Sequence, residues 1–297
     1  MRVNPNFTPD ILTELYLSQS QEQTALEQMA SGQLINMPSD NPAGAATLVE
    51  NLAEQNQTDQ FLQNTSTVEG LLQTADSTLS SVVDALNQAI SLGVQGGSST
   101  ATLDNQQQIA QQVQGIQNQV LQLANTSYQG SYIFAGTATT TVPFTANPSA
   151  PDGVTYNGNN NTNMVEIAQG RSVQTNLPGS QLFQGSGGDV MGSLQQLVTA
   201  LQSGNITSID NATTQLGTAL NYVSQQRVFY GNAVDQLTSN QSFLQQEQVN
   251  LQSQENTVDG VNMAQAATNL SQAQVTQNAT LAALAKIIPV TLLDYLQ

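Results

Sequence analysis

The chain has 297 residues and a net charge of −17 at pH 7, with 8 % charged and 5 % aromatic residues, and it contains neither cysteine nor histidine. Its negative charge disfavours binding to nucleic-acid phosphates and to anionic membranes, and no segment approaches the ~20 apolar residues of a membrane-spanning helix. Without Cys and His the chain lacks thiolate ligands, the commonest metal ligand and the usual general base, so we expect a protein that is not an enzyme and holds no cofactor or metal.

The N-terminal part of the chain predicts a weak helix followed by a strong one. Residues 1–36 carry a loose helical pattern among many Gln and Ser residues, which is too weak to fold alone. The segment Met37–Pro42 predicts a turn, because Asn41 suits the N-cap of the next helix and Pro42 its first position. Thr13 and Glu14 interrupt the only early apolar run, so we expect either a cytosolic protein or export without a cleaved signal peptide.

Two helices follow, joined by a short turn. The first is predicted over residues 42–95, because both positions of its heptad seam are apolar. Gly96–Thr102 predicts the turn, and Ile109–Leu123 predicts the second helix from apolar residues that alternate four and three apart. We expect these helices to form an antiparallel hairpin. The seam residues of the first helix are Phe61, Val68, Ala75, Val82 and Ala89, with Leu72, Leu79 and Leu86 offset by four.

The most regular apolar stripe lies nearer the C-terminus, where six residues recur every seven positions among Gln, Asn and Ser. This stripe predicts a long helix, but it is too narrow to be stable alone and must lie on the other helices. Val190–Leu201 predicts a shorter helix that ends near Gly204 and Asn205. The residues of the stripe are Val223, Tyr230, Leu237, Leu244, Leu251 and Val258.

Between residues 131 and 189 the apolar period changes to two, which predicts a small β-rich insertion. Tyr132 and Phe134 alternate with their neighbours, and Asn157 followed by Gly158 is typical of a hairpin turn. Residues 157–163 could also form a cation-binding loop, but this segment lacks the carboxylates that a calcium site needs. An exposed hairpin tip is therefore our interpretation.

After a break at Asp259–Gly260, an alanine-rich stretch predicts a helix that lets another backbone come close. Residues 287–297 are unusually apolar for the end of a chain. Two interpretations stay open: the tail folds back on its own core, or it packs against neighbouring copies.

Two segments resemble the signatures of bacterial flagellins. The segment LINMPSDNPAG at residues 34–44 resembles their N-terminal signature, and VNMAQAATNL at residues 261–270 resembles their C-terminal one. Within that superfamily, four further segments resemble the hook-filament junction proteins, known as hook-associated proteins of type three. These segments are MRV at 1–3, YQGSYIFAG at 128–136, VTYNG at 154–158 and LLDYL at 292–296.

This resemblance implies a structural protein of the bacterial flagellum that joins the hook to the filament by self-assembly. The implied partners are the hook-side junction protein, flagellin, other copies of the chain, and an export chaperone on the C-terminal helix. The implied location is the extracellular flagellum, reached by type III export without a cleaved signal. Alternatives are a filament flagellin, another fibre or tip protein or, in a different class, a surface hydrolase using Asp152, Glu166 or Asp189. No nucleophile and base pair supports the hydrolase.

The expected fold is mainly α, an elongated rod of long antiparallel helices in a discontinuous bundle built from both terminal regions, with a small β-rich insertion. The domain boundaries expected from the pattern and the resemblance are 1–40 and 259–297 for an inner terminal helical domain, 41–130 and 190–258 for a rod domain, and 131–189 for the insertion.

The resemblance implies that residues 1–36 and 261–297 lie together in the assembled flagellum. We expect both segments to become ordered only among neighbouring copies, because they carry too few apolar residues to fold alone. The expected assembly interface consists of Ile11, Leu15, Leu270, Leu281, Leu284, Leu292, Leu293 and Leu296.

Overall fold

Helices dominate the computed structural model of the protein, which describes residues 7–293, with side chains over 10–285. Long helices were predicted in both halves of the chain and a β-rich segment between them, and this mainly α architecture is confirmed. The helices are α1 (Phe7–Ser31), α2 (Pro42–Gly96), α3 (Leu103–Ala124), α4 (Gly179–Phe183), α5 (Val190–Ser203), α6 (Ile206–Asp259) and α7 (Met263–Leu293).

The helices begin and end where their capping residues lie. The Asn41 Oδ1 accepts a hydrogen bond of 3.0 Å from the Gly44 N–H, so α2 starts at Pro42 as predicted. Thr102 caps the start of α3 by accepting from the Asn105 N–H. Gly204 ends α5 in the left-handed conformation, with φ of 73°, which costs glycine little.

The described chain divides into two compact units. One, which we call the terminal unit, is drawn from both ends of the chain, up to Gln57 and from Gln246 onward. The other, the central unit, comprises Thr58–Gln245. The finer domain boundaries expected from the sequence stay a prediction.

The core of the central unit is formed by four helices. Gln106 donates a hydrogen bond of 2.8 Å to the Gly96 carbonyl, while Tyr128 lies against Gly70, so α2 and α3 run antiparallel as predicted. Helix α5 packs closely on α3, and Val223, Tyr230 and Leu237 of the α6 stripe are buried with them. The fully buried large residues include Leu72, Leu79 and Leu86 of α2, Val113 and Val120 of α3, Leu194 and Leu197 of α5, and Val223, Tyr230 and Leu237 of α6.

Polar contacts also join the helices of the central unit. Arg227 of α6 binds both carboxylate oxygens of Asp76 of α2, at 2.8 and 3.0 Å. Both side chains are about a third exposed, so this ion pair contributes at most about 1 kcal/mol. The buried Tyr230 hydroxyl accepts a hydrogen bond of 3.3 Å from the Leu177 N–H. Burial raises the pKa of Tyr230, so its phenol stays neutral.

The β-rich segment is a series of four antiparallel two-stranded hairpins among the described residues. Its strands are β1 (Ser127–Tyr128), β2 (Ser131–Tyr132), β3 (Phe144–Ala146), β4 (Val154–Tyr156), β5 (Met164–Ala168), β6 (Arg171–Gln174), β7 (Gln184–Gly185) and β8 (Gly188–Asp189). Phe134, Phe144 and Phe183 pack edge to face, with ring centroids 5.4 and 5.5 Å apart. Phe134 is therefore a core residue, and the half-buried Tyr156 packs against the same core.

Two details of this segment were predicted wrongly. The strand alternation expected at Tyr132–Ala135 stops at Tyr132, because the next three side chains are all buried in a turn. Residues 157–163 are no hairpin tip, since they connect β4 of one hairpin to β5 of the next. Asn159 holds this loop by accepting from the Thr137 N–H at 2.9 Å. Gly158 is required for close packing, because a Cβ there would collide with the Tyr156 hydroxyl.

Replacing Leu79 by Ala should destabilise the central unit by about 2–5 kcal/mol, because its side chain is fully buried and a cavity would remain. Val94→Ala on the same helix is the matched control, since Val94 is 64 % exposed and should change stability by less than about 0.5 kcal/mol. Urea unfolding of both variants measures the difference. Equal midpoints would mean that Leu79 does not lie in the core.

Asp189→Asn should stabilise the central unit at neutral pH. Asp189 is exposed as a residue, but partial desolvation of its carboxyl group, with a smaller contribution from Asp152, raises its pKa, and the hydrogen bond from the Gly192 N–H opposes only part of this shift. Its charged form is therefore less favourable in the folded than in the unfolded state. This destabilisation by the charged carboxylate is present when the pH is above the pKa of Asp189 in the folded state. It disappears as the pH falls below the pKa of Asp189 in the unfolded state. Asn still caps α5 through the Gly192 N–H, so the gain over wild type should vanish in acid.

Urea unfolding of Asp189→Asn at several pH values measures this gain. Asp189→Ala is the control, because it removes the same charge but also the cap, and should lose about 1 kcal/mol. A gain for Asp189→Asn that stays constant from acid to neutral pH would contradict the explanation.

Candidate assembly interface

The two ends of the chain meet as an antiparallel helix pair. The Ser18 hydroxyl of α1 donates a hydrogen bond of 2.8 Å to the Ala273 carbonyl of α7. Gln33 forms a β-bridge with Gly260 at one end of the pair, and Ile11 lies beside Ala283 towards the other. The described parts of residues 1–36 and 261–297 therefore lie together.

Small side chains form the contact between α1 and α7. The residues most buried there are Ser18, Ala25, Ala266 and Ala273, and each is at most 3 % exposed. Such residues let two backbones approach closely, but they remove little apolar surface from water. The large hydrophobic cluster of the protein runs from Val68 to Leu237 and includes no described residue of the terminal unit. The helix pair is therefore weakly stabilised by its own contacts.

The predicted interface residues divide into three groups. Ile11, Leu15, Leu270 and Leu284 are half-buried, whereas Leu281 is exposed. Ile11 and Leu15 share the face of α1 that carries Ser18, so part of their surface is already covered by α7. Leu292 and Leu293 belong to α7, but their side chains lie outside the described part, and Leu296 lies outside the described residues altogether. Their contact with a neighbouring copy stays a prediction.

A second set of apolar residues is exposed on the pair and was missed in the sequence. Tyr16 is 72 % exposed and Val275 is 68 % exposed, both large fractions for such side chains. The apolar pattern of α1 is too weak to show from the sequence which side of the helix faces α7. In the structure the outer side is identified because its residues are exposed, whereas Ser18 and Ala25 are buried. The other exposed members are Leu12, Leu17, Leu26 and Met263.

The surface of the helix pair is acidic as well as apolar. Helix α1 carries Asp10, Glu14, Glu22 and Glu27 and no cation. Between α1 and α7 lies an open groove of about 430 Å³, in which Glu14 stands beside Ile11, Val275 and Ala283. Identical acidic surfaces repel one another, but at physiological ionic strength this repulsion is largely screened beyond about 8 Å. Apolar contact between copies is therefore favoured over charge pairing.

The carboxylates considered for a hydrolase have local structural roles and belong to no metal-binding cluster among the described side chains. Asp152 accepts a hydrogen bond from Gln184, Glu166 accepts one from the Gly170 N–H, and Asp189 caps α5. Within the described residues, no cluster of three or more acidic, His or Cys side chains could hold a metal ion. None of the described helices is long and apolar enough to cross a membrane.

The chain matches two family models, one at each end. Residues 8–139 match the bacterial flagellin N-terminal helical region, and residues 204–296 match the bacterial flagellin C-terminal helical region. The chain belongs to the bacterial flagellin family. The resemblance noted at residues 34–44 and 261–270 is thereby confirmed, and it lies in the α1–α2 loop and at the start of α7.

This flagellin-family chain resembles two kinds of curated relative. It is 31 % identical over 158 residues to flagellar hook-associated protein 3 of Salmonella typhimurium. The aligned region covers 53 % of this chain and 48 % of the relative. The chain thus matches about half the length of the hook-associated relatives. It is 27 % identical over 270 residues to a flagellin of Listeria monocytogenes, which covers 89 % of this chain and 88 % of the relative.

The fold of this flagellin-family chain is also found in solved structures. A flagellar junction protein, FlgL of Legionella pneumophila, superposes with a TM-score of 0.60 at 14 % identity, covering 72 % of this chain and all of the other. At that identity the likeness shows the fold alone. The mainly α architecture with a β-rich segment in the middle is thus shared with a flagellar protein.

Ala273→Leu should loosen the helix pair and leave the central unit intact. Ala273 is 3 % exposed beneath Ser18, so a larger side chain would force the two backbones apart, at a cost of about 1–3 kcal/mol. Val275→Leu is the control, because Val275 is 68 % exposed and its side chain is not part of the closely packed contact at Ala273. Hydrogen exchange should show faster exchange in α1 and α7 only for Ala273→Leu. Unchanged exchange in both variants would contradict the close packing.

Proposed function

We propose that this flagellin-family chain is a structural protein of the bacterial flagellum that joins the hook to the filament. The observation that carries this proposal is the terminal unit, which pairs both chain ends through small residues and leaves large apolar side chains exposed. When copies of the chain pack side by side, the exposed apolar residues of such a pair are removed from water, which stabilises the assembly. The match to hook-associated protein 3 supports the junction rather than another flagellar position.

The assembly we propose uses heterologous contacts, in which one side of a copy packs on a different side of the next. Such contacts close into a ring when the rotation between copies allows it. The face comprises the exposed residues around Tyr16 and Val275 together with the residues predicted from the sequence, namely Ile11, Leu15, Leu270, Leu281, Leu284, Leu292, Leu293 and Leu296. The contacting partners are other copies of the chain, the hook-side junction protein on one side and flagellin on the other.

The weak pair also suits export before assembly. Ordering a backbone costs about 1–2 kcal/mol per residue, and the few apolar residues buried in the terminal unit offset little of this. The terminal unit of the free chain is therefore readily unfolded, which suits type III export without a cleaved signal, with a chaperone holding the C-terminal helix. Assembly outside the cell then supplies the missing apolar contacts.

A filament flagellin is the second candidate function. The match to the Listeria flagellin extends over most of both chains, whereas the match to hook-associated protein 3 covers about half of each. Electron microscopy of cells that lack this chain separates the two. Loss of a junction protein leaves hooks without filaments and releases flagellin into the medium, whereas loss of the flagellin leaves hooks and no released flagellin.

Changing Leu12 and Tyr16 together to Asp should abolish incorporation into the flagellum. Both side chains are exposed one helical turn apart on α1, so the charges should prevent apolar contact between copies without disturbing the central unit. Met164→Asp is the control, because Met164 is 59 % exposed on β5 of the central unit. Motility and the amount of chain in purified flagella measure the effect. Normal incorporation of the double variant would refute this face.

A further inference from the structure

The β5–β6 hairpin lies across two helices of the central unit and is bonded to both. We call this hairpin the strap and define it as residues 164–174. The Asn64 side chain of α2 donates a hydrogen bond of 3.1 Å to the Glu166 carbonyl, and the Asn240 side chain of α6 donates one of 2.7 Å to the Ile167 carbonyl. Two consecutive carbonyls of β5 are thus held by two different helices.

A β-bulge in the strap explains why a side chain from α6 is needed. The bulge lies between Glu166 and Ala168, so Ile167 has no partner residue on β6. Ile167 is 1 % exposed, and a buried carbonyl is costly unless a donor reaches it. Asn240, which is itself buried, supplies that donor. The bulged conformation of β5 therefore depends on Asn240.

The helix segments that the strap joins carry few buried apolar side chains. We call these segments, residues 58–65 of α2 and 240–245 of α6, the polar seam. The large apolar cluster of the protein begins along α2 only at Val68 and ends along α6 at Leu237. The buried residues of the polar seam are Thr58, Phe61, Thr65, Asn240 and Leu244.

The polar seam also contains buried polar atoms that are not paired. The Thr65 Oγ1 and the Asn240 Oδ1 have no hydrogen-bond partner within the part of the chain that the structure describes. Each such atom destabilises the folded state, and a segment with few apolar contacts opens more easily than a full core. The hydrogen bonds to the strap therefore matter more for the polar seam than similar bonds would elsewhere.

We infer that the strap and the polar seam open together as one local unit while the rest of the central unit stays folded, and that Asn64 and Asn240 set how often they open. Opening exposes Ile167 and Val173 of the strap but leaves the buried leucines of α2 and α5 in place. The chain enters the central unit at the polar seam of α2 and leaves it at that of α6, so the opening frees both helices at this end. This property does not depend on the proposed flagellar role.

Hydrogen exchange of the unaltered full chain in low concentrations of urea tests the shared opening. Amides of the strap and of the polar seam should exchange with the same dependence on urea. They should also exchange at least about tenfold faster than the amides of α3 between Ile109 and Val120. Equal protection in all these segments, or a different urea dependence for the strap and the polar seam, would overturn the inference.

Asn64→Ala tests whether the bonds to the strap control the opening. Asn64 is only half-buried, so the change removes the donor to Glu166 without leaving a large cavity. Exchange should become about two- to tenfold faster in both the strap and the polar seam, and should stay unchanged in α3. Gln63→Ala is the matched control, because it removes the same kind of side chain from the adjacent, exposed position of α2.

Asn240→Ala should accelerate exchange in the same two segments. Urea unfolding is measured alongside, and the result for Asn64→Ala decides the matter if Asn240→Ala unfolds the whole central unit. Two outcomes would show that these bonds do not control the opening. Asn64→Ala would change exchange no more than Gln63→Ala, or its effect would be confined to α2 and leave the strap as protected as before.

Discussion

The most deeply buried contacts between α1 and α7 are made by small side chains, and the behaviour of the terminal unit follows from this constraint. Ser18, Ala25, Ala266 and Ala273 allow close approach of two helices, yet together they remove little apolar surface from water. The central unit differs, because leucine, valine and phenylalanine side chains fill its core. The central unit is thus stabilised by its own core, whereas the terminal unit exposes apolar residues that a neighbouring copy could cover.

Periodicity in the sequence predicted the long helices well, because apolar residues recur every seven positions wherever the helix packs in an apolar core. The line of α2 that carries Leu72, Leu79 and Leu86 continues towards its N-terminus as Thr65, Thr58 and Asn51, which are buried too. These polar residues continue the seven-residue spacing of buried positions, but a search for recurring apolar residues does not detect them. The Asn51 Nδ2 and the Thr65 Oγ1 have no hydrogen-bond partner among the residues that the structure describes, so this stretch of the seam is less favourable than the leucine stretch.

Other features could not be read from local sequence because long-range contacts decide them. The Asn157–Gly158 pair favours a hairpin turn by itself, but packing against Tyr156 and Ala135 places it in a connecting loop. The outer face of α1 was missed, since only the position of α7 decides whether Ile11 or Leu12 is covered. The hydrogen bond from Ile35 to Asp259 joins residues that have no shared motif and lie far apart in the chain.

The antiparallel pairing of the two chain ends also constrains biosynthesis. Ser18 and Ala273 are 255 positions apart, so a ribosome that adds roughly 5–20 residues per second completes α7 on the order of 10–50 s after α1 has emerged. During that delay α1 has no partner in its own chain. Its many glutamine and glutamate residues keep the nascent segment hydrated, which lowers the risk of premature aggregation on the translating polysome.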